Sequence, residues 1–292
     1  AAQKVFVTQP TLSMQIQKLE DELDIQIFDR GKKPIELTDV GRKIVAQARN
    51  IVNESDRIKD IVDQQKGYIG GEFKIGVIPT IMPTLLPMFL SNFTKKYPKV
   101  KLSIEELHTE AISEQLKEGH IDAAIAATPL EDEEIKERVL YFEPFVGYVP
   151  NNHRLQGKTK IDPTDLDVED ILLLQDGHCF KDGILNLCKM ADRYEEDRFS
   201  LQSGSFETLI KLSNEGLGMT LLPYLHTLDL RDQDKSHLRM FTDPIPAREV
   251  SIIYHKSELK MQIIEALQSV IAGVVKGAIT FQNVQIISPI SK

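Results

Sequence analysis

TQPTLSMQIQKLEDEL, residues 8–23, runs into Ile25-Gln26-Ile27-Phe28, the basic turn Arg30-Gly31-Lys32-Lys33-Pro34 and Ile35-Glu36-Leu37, and this succession sets the fold of the N-terminal end. Thr8 is placed to cap a helix, with Pro10 in the first turn, where a missing N–H costs nothing. Leu12, Ile16, Leu19 and Leu23 recur at helical spacing as one apolar stripe, while Thr11, Ser13, Gln15, Gln17 and Lys18 face elsewhere. Residues 1–6 read as the end of a preceding helix, so the short link at Val7-Thr8 makes a helix-turn-helix candidate. A helix pair of this kind is equally common in ordinary cores. The two period-two segments around the basic turn read as a small hairpin directly after the helix, the arrangement a winged helix-turn-helix uses to grip phosphates.

Thr38 then opens a helix in which Ile44, Ala48, Ile51, Ser55, Ile58 and Val62 keep the four-three rhythm of a coiled-coil seam. A single amphipathic helix on a globular core gives the same stripe, but a run ending at Gly67 and Gly70-Gly71 favours a dimerising linker. From Phe73 strands alternate with helices: strand 73–78, helix 84–96, strand 100–105, helix 110–118, strand 123–126. A second round follows with strand 171–174, a helix after Cys179, strand 199–202, a helix over 206–214 and strand 219–222. Strand 250–254 and helix 259–275 return to the first round. Two α/β lobes joined by two crossings make a hinged clamp, and such clamps hold ligands in the crevice between lobes.

The 292 residues carry a net charge of −9, with 41% hydrophobic and 27% charged residues. The chain is long enough for two or three cores. No apolar run approaches the ~18 residues of a membrane span, and with no basic-then-apolar leader at the N-terminus a reducing cytoplasm is the expected compartment. Acidity argues against nucleic acid, since phosphate contacts need Lys and Arg. Yet residues 1–66 hold 11 basic and 11 acidic side chains, so the whole excess lies downstream. A locally neutral segment binds DNA if its cations share a face.

The motifs Thr8-Gln9-Pro10-Thr11-Leu12-Ser13, Gln15-Ile16, Leu19-Glu20, Glu22-Leu23, Phe28-Asp29-Arg30 and Leu37-Thr38-Asp39-Val40-Gly41 resemble the LysR-type transcriptional regulators, and the similarity runs over nearly the whole chain. Residues 75–80, His108-Thr109, 176–182, Cys188, 205–209 and 218–223 are similar to the peroxide-sensing branch of that family. The resemblance implies an α/β chain: a winged helix-turn-helix over 1–41, whose first helix would precede residue 1, and a linker helix and hinge over 42–71. A two-lobed, periplasmic-binding-protein-like regulatory domain follows over 72–278, with lobe I at 72–145 and 248–278 and lobe II at 146–247. It implies dimers or dimers of dimers, promoter DNA and RNA polymerase as partners, no membrane, no cofactor, and an activator rather than an enzyme. Thr11, Ser13, Gln15, Arg30 and Lys32 become the DNA-facing candidates. Residues 279–292 match nothing assignable.

The same resemblance makes Cys179 the peroxide-reactive thiol, Cys188 its resolving disulfide partner, and Thr80, Thr109, His178 and Asp182 the groups around the peroxide. Most cysteine pairs in cytosolic chains are small buried hydrophobes. Here a helix start, a neighbouring imidazole and Lys181 would each favour the thiolate, the species that attacks peroxide. On one helix the two cysteines stand nine rises apart, roughly 13 Å, whereas a disulfide needs Cα atoms within about 7 Å, so bond formation demands local refolding. Zinc fits poorly, because structural sites want four ligands and no CxxC is present. For the two threonines, capping or a solvated turn is the plainer reading, and for Asp182 an answer to the helix dipole. A regulator answering a small metabolite in the crevice, with incidental cysteines, and a thiol peroxidase are the rival readings.

Overall fold

The computed structural model describes residues 5–65, 69–175, 177–188, 203–281 and 283–290. They fall into two compact units, 1–59 and 60–292. In the first, α1 (Gln9–Leu23) starts as its sequence demands: the Thr8 hydroxyl accepts the Thr11 N–H at 3.4 Å and Pro10 sits in the first turn. The expected preceding helix lies mostly outside the described residues. Leu12 and Ile16 are half-buried, but Leu19 and Leu23 are exposed, and the buried residue of α1 is Glu20.

Glu20 explains the wing. Its carboxylate accepts the Ile27 N–H at 2.7 Å and the Phe28 N–H at 3.1 Å, and the Arg30 guanidinium donates to it at 2.8 Å. The first of these bonds takes the Ile27 N–H, which would extend the ladder opposite Thr38, so the hairpin is shorter than its hydrophobic alternation suggests: β1 (Phe28–Asp29) against β2 (Glu36–Leu37). The Thr38 hydroxyl accepts the Gly41 N–H at 2.9 Å and starts α2 (Asp39–Gln65). Ile51, Ile58 and Val62 of the expected seam are exposed along α2, with Val52 and Ile61 beside them.

In the second unit β3 (Gly71–Val77), α3 (Met82–Lys96), β4 (Val100–Glu106), α4 (Thr109–Lys117) and β5 (Ala123–Thr128) follow the expected βαβ order, with β4 and β5 parallel on either side of β3. Next comes β6 (Ile135–Tyr148), a 14-residue strand that hydropathy alternation did not suggest, because Lys136, Glu137, Arg138 and Glu143 interrupt it. Then come β7 (Lys160–Ile161), α5 (Cys179–Cys188), α6 (Phe206–Asn214), β8 (Thr220–Pro223), α7 (Tyr224–Leu228), α8 (Asp232–Lys235), β9 (Leu238–Phe241), β10 (Ile245–His255), α9 (Met261–Val275) and β11 (Val284–Ile286).

β6 and β10 organise this unit. They pair antiparallel along most of their length; β5 pairs with the Glu249–Ile253 part of β10, whereas residues 145–148 of β6 pair with β8 and 146–148 with β9. The two strands therefore pass from one hydrophobic core, built on Phe73, Leu85, Phe89, Ile125, Ile252 and Leu267, to a second built on Tyr148, Phe180, Leu209, Met219, Leu221 and Phe241. The expected strand 171–174 reduces to a single bridge, Ile171 to Met219, because Leu172 spends its carbonyl on the Thr220 hydroxyl. The expected strand 199–202 lies outside the described residues.

Glu20 generates a prediction for the first unit. Its carboxyl is held below the usual value of 4.5, first by the Phe28 N–H, so its contribution is present above that value and is lost as pH falls through the depressed folded one. Glu20→Ala is expected to raise amide exchange at Ile27 and Phe28 at neutral pH, and acidification is expected to do the same to the wild-type chain. Unchanged protection at both amides would show that the wing is held by other contacts.

Candidate functional site

The strand ends and helix starts of the second unit converge where β6 and β10 leave one core for the other. Thr80 follows β3, Thr109 opens α4, Ala127 lies near the end of β5, Glu143 and Arg248 face each other across β6 and β10, and Cys179 opens α5. Cys179 packs in the first core, whereas Phe180, Ile184 and Leu187 of the same helix pack in the second. The thiol therefore stands at the junction of the two cores on a helix anchored in only one of them.

Arg248 is 3% exposed and Glu143 1%. The guanidinium donates to Glu143 Oε2 through Nε at 2.9 Å and Nη2 at 2.7 Å, to the Thr80 hydroxyl through Nη1 at 2.9 Å, and to the Thr80 carbonyl through Nη2 at 3.2 Å. Glu143 Oε1 accepts the Leu225 N–H at 2.9 Å, and the Phe180 ring lies 5.1 Å from the guanidinium carbon. Removing one partner of such a buried pair costs about 3–5 kcal/mol, because an uncompensated charge stays behind. Thr80 is thus neither a helix cap nor a solvated turn but an acceptor for Arg248.

Burial pushes the Cys179 thiol up; against it act the Arg248 guanidinium, the Thr109 hydroxyl and the Ala127 N–H, while Asp182 adds to the rise. The cation that favours the thiolate therefore comes from β10 rather than from the neighbours expected in the sequence. His178 is no such cation. Burial, then His108, pulls its pKa below 6.5, so the ring is neutral at pH 7; it stacks edge-on against His108 at 4.8 Å. His178 Nε2 is buried without a hydrogen-bond partner among the described residues, as is the Tyr141 hydroxyl. His108 Nδ1 lies 3.2 Å from the Gly177 carbonyl.

Cys188 is half-buried at the far end of α5, among the side chains of the second core, and burial followed by Asp167 pushes its thiol up to about 12. Both cysteines are free. Between them Asn186 donates to the carbonyls of Ser288 at 2.9 Å and Ile290 at 2.8 Å. The C-terminal stretch that sequence left unassigned is therefore packed on α5: β11 pairs with β10, Ile287 enters the second core, and the Phe281 ring meets Tyr224 at 4.9 Å.

The DNA-facing candidates lie in the first unit. Ser13 and Gln15 are exposed on α1, and half-buried Thr11 shares a hydrogen bond with the Thr8 hydroxyl at 2.8 Å. At about 100° per residue, Thr11 and Gln15 share one helix face and Ser13 lies near the opposite one. Arg30 is exposed while tethered to Glu20, and Lys32 pairs with Glu36 at 2.7 Å. No group of three or more His, Cys, Asp or Glu fit to hold a metal is present among the described residues, and none of their helices is long and apolar enough to cross a membrane. Sequence reading missed Arg248 and Glu143. The available signal was an arginine set among Ile245, Ala247, Val250, Ile252 and Ile253, where a charge is tolerated only with a partner.

Residues 1–42 match the family described as bacterial regulatory helix-turn-helix protein, lysR family, and residues 66–274 match the LysR substrate binding domain. A hydrogen peroxide-inducible genes activator of Pectobacterium carotovorum is 34% identical over 254 residues, 87% of this chain and 83% of that protein. A full-length cysteine-to-aspartate variant of OxyR from Pseudomonas aeruginosa superposes with a TM-score of 0.75 at 33% identity, covering 93% of this chain and 90% of that one. A hydrogen peroxide-bound cysteine-to-serine variant of OxyR from Corynebacterium glutamicum gives 0.65 at 28% identity, covering 98% and 92%.

Thr109→Val keeps the size of the side chain and removes the hydroxyl bonded to Cys179. A hydrogen bond is worth about 1 kcal/mol, so alkylation of Cys179 by iodoacetamide at pH 7 is expected to slow roughly fivefold; an unchanged rate would mean that the hydroxyl does nothing for the thiolate.

Proposed function

The chain belongs to the LysR family of bacterial helix-turn-helix regulators, and we propose that it senses hydrogen peroxide through Cys179 and Cys188 and controls transcription accordingly. The observation that carries this reading is α5: a buried thiol at its first residue, beside Thr109 and Arg248, and a second thiol at its last. The names of the relatives support the choice of oxidant.

In the first step the Cys179 thiolate attacks one peroxide oxygen, the O–O bond breaks, and the departing hydroxide takes a proton and leaves as water. Cys179 becomes a sulfenic acid. Arg248 opposes the burial that disfavours the thiolate, and the Thr109 hydroxyl donates to sulfur. His178 Nε2 and the Tyr141 hydroxyl, buried without partners among the described residues, suit a small polar guest; an unmet buried group costs about 1–3 kcal/mol. Thr80 holds Arg248 in place, and burial, reinforced by Asp182, keeps the resting thiol protonated.

In the second step the Cys188 sulfur attacks the sulfenic sulfur and expels hydroxide, which leaves as a second water. Two thiols and one peroxide become one disulfide and two waters. Roughly 13 Å of helix separates the cysteines, so α5 must unwind, and unwinding also frees the Cys188 thiol from the burial that holds it up to about 12. It withdraws Phe180, Ile184 and Leu187 from the second core and takes Asn186 off the C-terminal segment. A rearrangement of that size changes how a dimer or tetramer of the chain meets promoter DNA and RNA polymerase in the cytoplasm. The α1 helix and the wing contact the duplex through Thr11, Ser13, Gln15, Arg30 and Lys32, and the exposed Ile51, Ile58 and Val62 face of α2 supplies the dimer seam.

One equivalent of peroxide is expected to convert the reduced chain to a Cys179–Cys188 disulfide, seen by peptide mass spectrometry as the loss of two hydrogen atoms. Cys188→Ser is expected to stop at a sulfenic acid trapped by dimedone, and Cys179→Ser to leave Cys188 a thiol. Free thiols after stoichiometric peroxide would end the sensor reading in favour of a metabolite in the crevice, and sustained peroxide consumption with a dithiol reductant would favour a peroxidase.

A further inference from the structure

We propose that Glu143 is a positioning residue that sets the resting reactivity of Cys179 by holding and neutralising the Arg248 guanidinium. The proposal rests on Cys179 being the reactive thiol and goes beyond that reading by naming the group that restrains it. Glu143 and Arg248 are register partners across β6 and β10, and both are almost wholly shielded from water. One carboxylate oxygen takes two of the five guanidinium N–H donors, Thr80 takes two more, and the other carboxylate oxygen is fixed by the Leu225 N–H where α7 begins. That arrangement fixes the guanidinium from both sides, against the turn after β3 through Thr80 and against α7 through Glu143, and leaves one Nη1 proton uncommitted among the described residues.

A paired carboxylate acts on the thiol in two opposing ways. It holds the cation in place, and it cancels much of that cation's field, since in a low-dielectric interior a charge counts for little once its partner is 2.7 Å away. The groups bearing on this balance come from every element around the thiol. They are Arg248 from β10, Glu143 and Tyr141 from β6, Thr109 and the Ala127 N–H from α4 and β5, Asp182 from α5 itself, and His226 from α7, a ring held neutral by burial. Among them Glu143 is the anion in direct contact with the cation. With the pair intact Cys179 rests largely as a thiol, slow toward general electrophiles, and the remaining N–H of Arg248 is kept for a polar oxygen brought beside the sulfur. The residue is thus a specificity device: it trades resting nucleophilicity for discrimination between a peroxide that Arg248 can polarise and electrophiles that it cannot.

The test uses the full reduced chain and iodoacetamide, which needs no peroxide chemistry. In Glu143→Gln the hydrogen bond from Leu225 and the side-chain size are retained while the charge is lost. The midpoint of the pH profile of Cys179 alkylation is expected to move to lower pH, with a rate at pH 7 about tenfold above wild type and the same plateau at high pH. Glu143→Asp, which keeps the charge but shortens the reach, is expected to move the midpoint in the same direction by less, and it serves if the glutamine variant fails to fold. A purely structural role would leave the midpoint unmoved in both variants, and either that result or an upward move overturns the proposal. Measured beside it, the peroxide rate is expected to rise less than the iodoacetamide rate; equal gains would show that Glu143 confers no discrimination. Failure of Cys179 to react with peroxide in any form would sink the sensor reading and leave the alkylation result standing.

Discussion

A helix cannot bring its first and last residues together, and in this chain that restriction falls on the two cysteines. α5 begins at Cys179 and ends at Cys188, so their separation is fixed at roughly 13 Å by the helical rise for as long as the helix exists. Either the thiols stay reduced and α5 stays in the second core, or they join and α5 is gone. Unwinding α5 would expose Phe180, Ile184 and Leu187, whose burial is worth about 1.5–3 kcal/mol each, so a covalent bond between its two ends and the packing of this helix exclude one another.

The surroundings of α5 follow from where the two long strands cross. β6 and β10 are shared by both cores, and a charge on their core-facing side where they pass from one to the other is buried, as Glu143 and Arg248 are. Arg248 and Glu143 meet that condition as a pair, and through Thr80 and Leu225 they lock the turn after β3 to the start of α7. The arginine of that pair also acts on the thiol, whose pKa reflects a contest: burial raises it and Arg248 lowers it.

Much of this was legible in the sequence. The period of the first lobe, the helices over 206–214 and 259–275, the start of α1 at Thr8 and a helix running from Cys179 to Cys188 all follow from local rules, because helix caps and hydrophobic periods act over a few residues. What failed is non-local. Glu20 reads as a solvated residue of an amphipathic helix until the wing folds back and presents three donors to it. β6 carries four charged residues, and the partners of two of them lie far along the chain, Arg138 on Tyr254 of β10 and Glu265 of α9 and Glu143 on Arg248 of β10 and Leu225 of α7, so alternation alone hides it. Arg248 and Glu143 are 105 residues apart in sequence, and only the register between two strands makes them neighbours. The tail escaped for the same reason, since its partners, Ala247 and Asn186, lie in elements assembled earlier in the chain.

The central claim is that oxidation exchanges helix α5 for a disulfide, and the most direct measurement is amide hydrogen exchange across residues 181–188 before and after one equivalent of peroxide. Strong protection in the reduced chain, lost in the oxidised one together with protection of residues 284–290, is the predicted result. Protection of α5 that survives complete oxidation of Cys179 would contradict it.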